Sequence, residues 1–281
     1  MFPQLLRVRQ WYKNLLIFLP LVFAGLLLDP KSILLTLLGF LALSLMSSAN
    51  YILNDIIDLE RDKLHPEKSQ RPLASGVISK NRAAAIEALL AAASLSISVV
   101  LSPVFFLILL IFFFLTQCYS LCFKDELFLD LICISVNFVL RAMSGAFILN
   151  VRLSPWLIVC TFFLSLFIAL GKRRADYALL QVNAREHKQV LSAYNVALTN
   201  TLMIIATTSL LMSYTLYSFL SIYPHLIYSL PFALYVILRY FYRIETESPI
   251  ARKPEYFYQD TKLIIGVLLW TCAVILLTYL I

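Results

Sequence analysis

Residues 50–72 read NYILNDIIDLERDKLHPEKSQRP and carry five carboxylates within thirteen positions, Asp55, Asp58, Glu60, Asp62 and Glu67, directly after an apolar run. Asn50, Asn54, Asp58 and Asp62 recur every four residues, and Asp55 stands seven before Asp62. On a continuing helix these side chains line one face and form a concentrated set of oxygen donors. Like charges at that spacing destabilise a helix by roughly 0.2–0.5 kcal/mol per pair, so a bare acidic stripe needs a counter-ion. Mg²⁺ suits it, as a hard cation held by one or two carboxylates that keeps waters and completes its shell with phosphate oxygens. The plainer alternative is a solvated acidic helix end neutralised by Arg61, Lys63 and Lys68. Against it stand Asn50 and Asn54, which lie within the end of the apolar run, where polar groups are costly and usually functional.

The elements that must position this stripe are membrane helices. Of the 281 residues, 61% are hydrophobic and only 14% charged, with a mean hydropathy of +0.84, more apolar surface than one soluble core can hide. Apolar stretches long enough to cross a hydrocarbon core of roughly 30 Å recur along the chain, and a barrel would instead show shorter, alternating segments. Nine spans are expected, near 14–28, 32–54, 82–101, 103–122, 127–150, 154–172, 193–220, 224–243 and 262–281. Pro30, Pro103, Pro155 and Pro224 stand where one helix stops or the next begins. The reading is an all-α, polytopic membrane protein forming a single domain over 1–281. It holds two four-helix groups, 14–122 and 127–243, and a ninth helix, 262–281, with loops 55–81 and 172–192 capping the active site. A charged loop follows the second helix of each group, a hint of internal duplication without a residue-level repeat.

Orientation follows from the basic residues, which stay on the cytoplasmic side of short loops. With the N-terminus inside, 20 of the 23 Lys and Arg fall on the cytoplasmic face; Lys31 and Arg152 lie outside and Arg141 lies within a span. That predicts a multi-pass protein of the prokaryotic inner membrane with its N-terminus in the cytoplasm and its C-terminus outside. The net charge of +7 reflects this bias and attraction to anionic lipid, so no nucleic-acid partner is needed. Arg7, Arg9 and Lys13 ahead of an apolar run mimic a signal peptide, but without a clear cleavage site the first span reads as retained. Cys118, Cys122, Cys133, Cys160 and Cys272 all lie in apolar segments and read as small core residues. His65, His187 and His225 are too scattered for a triad or a zinc site.

Within this frame NDIIDLERD resembles N-D-x-x-D-x-x-x-D, the first acidic motif of the UbiA-type intramembrane prenyltransferase superfamily. The resemblance implies nine helices around a central cavity open to the cytoplasmic face, with a Mg²⁺-diphosphate site at its mouth. Asn54, Asp55, Asp58 and Asp62 would then be the metal ligands, and the three aspartates the catalytic acids. Most such enzymes carry a second aspartate-rich element after the sixth span. Here that loop begins GKRRAD, so that Lys172, Arg173 and Arg174 precede the single acid Asp176, with Arg185 and Lys188 further on. A basic second site grips a phosphate directly through charge-assisted hydrogen bonds rather than through a second metal cluster. The expected substrate therefore carries a metal-bound diphosphate and another anionic group. Phosphoribosyl pyrophosphate fits, and the segments RQWYKNLLIF, YSLCFKDELFLD, NFVLRAMSGAF and RKPEYFYQD are similar to the branch that transfers 5-phosphoribosyl to polyprenyl phosphates such as decaprenyl phosphate. That branch implies a pentosyl-type glycosyltransferase of cell-wall biosynthesis.

Each candidate has a functional and a plainer reading. Arg141 lies mid-span, where a charge costs about 2.5 kcal/mol or more unless it faces a polar cavity or partner, and is expected to bind a phosphate. Lys13 and Asn14 are expected at the substrate, although interfacial anchoring beside Trp11 and Tyr12 explains them as well. Lys124, Lys172, Arg173 and Asp176 join the substrate-binding set with Asn50 and Asn54, while Lys68 and Arg71 are loop bases able to close over a diphosphate. Asp130 reads equally as a helix cap. Two competitors remain open: transfer of a prenyl group from a prenyl diphosphate to an aromatic acceptor, and an ion transporter using the acidic stripe as a cation site.

Overall fold

The computed structural model describes residues 2–66, 68–179, 194–246 and 248–280, and every described element is helical or irregular. The short α1 (Phe2–Leu5) leads into a 3₁₀ helix, Val8–Phe18, followed by α2 (Leu19–Phe23), α3 (Pro30–Ile57), α4 (Leu59–Leu64), α5 (Lys80–Leu101) and α6 (Pro103–Leu121). Then come α7 (Leu129–Leu149), α8 (Pro155–Leu179), α9 (Val196–Leu220), α10 (Leu230–Glu245), α11 (Pro249–Arg252) and α12 (Thr261–Tyr279). Seven of these, α3, α5, α6, α7, α8, α9 and α12, are long and apolar enough to span a bilayer.

The other two expected spans are helical but divided. Residues 14–28 become the end of the 3₁₀ helix and then α2, and residues 224–243 become a 3₁₀ turn, Pro224–Ser229, followed by α10. Both carry an internal proline, Pro20 and Pro231, which can begin a helical segment but cannot donate to the turn before it.

The chain divides into two compact units, the first made of residues 1–121 and 140–152 and the second of 122–139 and 153–281. In the first, α3 packs against α5, α6 and the 3₁₀ helix. Its start is fixed by Pro30 and by the Asp29 carboxylate, which accepts the Ser32 N–H at 3.0 Å. Leu5, Ile52, Leu73, Ile78 and Ala83 form a buried cluster that seals the N-terminal segment and the 65–79 loop onto α3 and α5. In the second unit α8 packs on α9, and α10 on α12, around Phe167, Leu170, Met203, Leu210 and Ile244. Asp260 caps α12 through the Lys262 and Leu263 N–H groups and pairs with Arg239 and Arg243. Burial alone would raise its pKa, but the hydrogen bonds from Arg243, Arg239 and Leu263 hold it well below the usual carboxylate range.

Gly145 of α7 lets that helix meet the 3₁₀ segment backbone to backbone, since a Cβ there would lie 2.0 Å from the Ile17 carbonyl oxygen. A backbone oxygen cannot move aside as a side-chain tip can. Gly145→Ala is therefore expected to destabilise by about 1–3 kcal/mol. Gly39→Ala, whose nearest neighbour is the flexible Ile148 Cδ1, should lose less. Thermal unfolding of the detergent-solubilised variants measures the difference.

Candidate active site

The acidic motif sits where α3 ends and α4 begins. Asp58 closes α3 with φ −86° and ψ 6°, yet the Asp58 N–H still reaches the Asn54 carbonyl and the Asp62 N–H the Asp58 carbonyl, each at 2.9 Å. Seven residues on a straight α-helix advance about 10 Å. After the break, one atom touches both carboxylates: Arg71 Nη1 donates to Asp55 Oδ1 at 3.0 Å and to Asp62 Oδ2 at 2.5 Å. Both acids are buried, at 4% and 2% exposure, while Asn54 and Asp58 are half-buried. Arg7 donates to the same Asp55 oxygen, and Lys68 Nζ stands 3.6 Å from Asp62 Oδ1, which has no hydrogen-bond partner. Thus three cations surround two carboxylates.

Arg71 reaches this position because its loop is folded back. Its carbonyl accepts the Ser75 N–H at 2.9 Å, the Pro72 carbonyl accepts the Ile78 N–H at 3.1 Å, and Leu73 and Ile78 are buried. The chain at Gly76 turns through φ +76°, which glycine adopts without strain.

A polar seam continues up α3 from the cage into the apolar bundle. Arg7 meets Asp55, Trp11 Nε1 donates to Ser48 Oγ at 3.1 Å, and Asn14 Nδ2 donates to Ser44 Oγ at 3.0 Å, stepping along α3 first by about two turns and then by about one. Asn14 Oδ1 in turn accepts Arg141 Nε at 2.9 Å, and the Arg141 guanidinium lies over the Phe112 ring, 4.7 Å from its centroid. So the mid-span arginine, only 7% exposed, meets the expected Asn14. From Ser44 to Asp55 the helix rises about 16 Å, which sets this layer well beyond the length of one diphosphate from the cage. Asn50 accepts Gln117 Nε2 at 2.5 Å and keeps a buried Nδ2 with no hydrogen-bond partner. Lys13 is half-buried, its ammonium 5.8 Å from the Tyr12 ring centroid.

The second unit treats its basic run differently. Asp130, fully buried in the first turn of α7, accepts Arg173 Nε at 2.9 Å and the Tyr194 hydroxyl at 3.1 Å. That hydroxyl is pushed well above its ordinary pKa by burial and by the Asp130 charge beside it. Arg174 pairs with Glu245 at 2.6 Å, and Asp176 accepts Arg252 Nε at 3.2 Å. The end of α8 is thereby tied to α7, α10 and α11. Lys172 is exposed and Lys124 half-buried. Arg185, Lys188 and His187, with the 180–192 part of the expected cap, lie outside the described residues.

Five contributors went unnoticed in the sequence: Arg7, which reads there as an orientation charge, and Gln117, Ser44, Ser47 and Ser48, which the pattern does not single out. Only the three- and four-residue spacing of Ser44, Ser47, Tyr51, Asn54, Asp55 and Asp58 signals a polar face on α3.

Among the described residues no three His, Cys, Asp or Glu side chains converge as a metal cluster. Mg²⁺ needs only one or two carboxylates, with waters and phosphate oxygens for the rest. Asp55 and Asp62, close enough to share one nitrogen and with Asp62 Oδ1 buried without a hydrogen bond, fit that requirement; Asn54 and Asp58 are the neighbouring donors.

The sequence profile of the UbiA prenyltransferase family matches residues 16–260. The decaprenyl-phosphate phosphoribosyltransferase of Mycolicibacterium smegmatis is 31% identical over 217 residues, covering 76% of this chain and 68% of that protein. Its namesake from Mycobacterium tuberculosis is 28% identical over 258 residues, covering 89% and 84%. Among solved structures, a UbiA homologue from Archaeoglobus fulgidus bound to GPP and Mg²⁺ superposes with a TM-score of 0.75 at 21% identity, covering 98% of this chain and 99% of that one.

Breaking a buried ion pair by removing one partner typically costs about 3–5 kcal/mol. Arg173→Met, which strands Asp130, is expected to lose that much stability, and adding Asp130→Asn to recover most of it. Denaturation of the two variants against the parent checks this; a loss of substrate affinity at unchanged stability would instead put Arg173 at the substrate.

Proposed function

The chain belongs to the UbiA prenyltransferase family, and from that premise we propose that it transfers the 5-phosphoribosyl group of phosphoribosyl pyrophosphate to a polyprenyl phosphate, releasing diphosphate with Mg²⁺ as cofactor. The observation that carries the reading is the α3 face, with a cage of two carboxylates and three cations at one level and the Asn14–Arg141 pair at another. A small sugar with anions at both ends matches two such levels better than a prenyl diphosphate, which has one charged end. The names of the mycobacterial relatives support the same substrate class.

In this reading Asp55 and Asp62, helped by Asp58 and Asn54, hold the divalent ion, which when bound offsets the charge growing on the departing diphosphate. Arg71 and Lys68 close over the same diphosphate from the loop. Arg141, kept in orientation by Asn14, binds an anionic group deeper in the span, with Lys13 nearby in sequence. Lys172 and Lys124 are the remaining candidates for phosphate contact, while Arg173 is held by Asp130. As the C1–O bond breaks, positive charge develops on the ribose, and an oxygen of the lipid phosphate forms the new bond. A phosphate monoester is largely ionised at neutral pH, with a second pKa of about 6, so the attack requires no general base. The protein is placed in a prokaryotic inner membrane with nine spans and its N-terminus in the cytoplasm. There a soluble sugar phosphate meets a lipid whose tail stays in hydrocarbon, as envelope synthesis requires.

Membranes holding the protein, given labelled phosphoribosyl pyrophosphate, Mg²⁺ and polyprenyl phosphate, are expected to move label into the lipid phase. Product formed only from a prenyl diphosphate and an aromatic acid would reassign the substrate, and cation flux in proteoliposomes without product would make the protein a transporter. Asp58→Asn is expected to lower turnover by about 10²-fold or more at unchanged melting temperature; full activity would remove Asp58 from the metal set.

A further inference from the structure

Arg7 is the one cage residue that sequence patterning leaves among the orientation charges, and the fold holds it in place in three ways. Its backbone is left-handed, with φ 48° and ψ 45°, a conformation that strains a non-glycine residue and persists only where its surroundings over-determine it. The preceding Leu6 carbonyl accepts Ser48 Oγ at 2.7 Å, and Leu5 is buried against Ile52, Leu73 and Ile78. Its guanidinium lies over the Tyr51 ring, 4.8 Å from the centroid, and donates to Asp55 Oδ1, the oxygen that Arg71 also bonds. The N-terminal segment and the 65–79 loop thus share one apolar cluster and deliver two guanidinium groups to a single carboxylate oxygen.

That oxygen cannot serve two arginines and a divalent ion at once. Resting on the reading of Asp55 and Asp62 as the metal-holding acids, we propose that Arg7 is a positioning residue that competes with the divalent ion for Asp55 and turns to the diphosphate once the ion is bound. Arg7, Lys68 and Arg71 already pair with Asp55 and Asp62, so an arriving divalent ion must displace one of these cations while a diphosphate meets attraction from all three. The pairing therefore makes metal and diphosphate enter together: the metal alone must displace a guanidinium, whereas metal with diphosphate gives that guanidinium a new partner. Tyr51, stacked beneath Arg7, keeps the guanidinium plane at the cage through the exchange.

The test is direct binding to the full-length protein in detergent, with Mn²⁺ alone followed by electron paramagnetic resonance and with inorganic diphosphate in the presence of Mn²⁺ followed by calorimetry. Arg7→Gly removes the guanidinium and keeps the left-handed turn, so it should fold as the parent does; Arg7→Lys keeps the charge without the fork. Arg7→Gly is expected to tighten Mn²⁺ alone by about tenfold, the scale on which neighbours of metal ligands tune affinity, and to weaken diphosphate by a similar factor, with Arg7→Lys between. Unchanged or weaker Mn²⁺ affinity in Arg7→Gly overturns the proposal. Asp62→Asn separates the two levels: Mn²⁺ binding that needs Asp62 but ignores Arg7 defeats the competition alone, whereas binding that does not need Asp62 removes the metal reading beneath it. Because inorganic diphosphate is the probe, the outcome is independent of whether the transferred group is a sugar or a prenyl chain.

Discussion

A single guanidinium, Arg71, holds two buried carboxylates of α3 and α4 together, and the architecture around them follows from the need to pair those charges. An unpaired carboxylate at 2–4% exposure is not tolerable in a low-dielectric setting, so the chain must bring cations to it. It does so from two directions in sequence. Arg71 and Lys68 come from the loop after α4, and Arg7 from the segment before the first apolar stretch. The apolar cluster of Leu5, Ile52, Leu73, Ile78 and Ala83 is the hydrophobic side of this arrangement, since it fixes the two backbones that deliver the arginines. Electrostatic demand and apolar burial here act on the same short pieces of chain.

Along α3 the same logic operates without net charge. A helix that faces lipid on one side has no reason to carry Ser44, Ser47, Ser48 and Asn50, and all four are buried. Each finds its partner within the first unit: Asn14 for Ser44 and Ser47, Trp11 and the Leu6 carbonyl for Ser48, and Gln117 for Asn50. Such bonds between membrane helices are individually modest, about 0.6 kcal/mol on average. Their value is in register, because they hold the 3₁₀ helix along α3 and bring Asn14 to Arg141. The backbone contact at Gly145 has the same effect, keeping α7 close enough for the Arg141 side chain to reach.

Much of this was legible in residue order. Hydropathy placed the seven long helices, the prolines at their ends marked the boundaries, and the D-x-x-D-x-x-x-D spacing pointed at the cage. The two expected spans that the structure divides are those with a proline inside them, Pro20 and Pro231, where the missing N–H interrupts an otherwise continuous apolar stretch. Local spacing also failed wherever partners are distant in sequence. Nothing near Arg173 reveals that Asp130, 43 positions away, will take its guanidinium, and nothing near Arg7 reveals Asp55, 48 positions away. Arg173 and Arg174, read as topology signal or phosphate grip, tie the end of α8 to α7 and α10, and Asp176 ties it to α11. The boundary between α3 and α4 at Asp58 was hidden as well, because a four-residue repeat predicts an uninterrupted stripe.

The account stands on Asp55 and Asp62 forming a metal-and-diphosphate site rather than a purely structural ion-pair cage. The most direct measurement is a structure of the protein with Mn²⁺ and phosphoribosyl pyrophosphate, using the anomalous signal of manganese to locate the ion. The account predicts the manganese peak between the Asp55 and Asp62 carboxylates, with Arg71 moved from them onto the diphosphate. A peak elsewhere, with Arg71 still bridging both acids beside bound substrate, would contradict it.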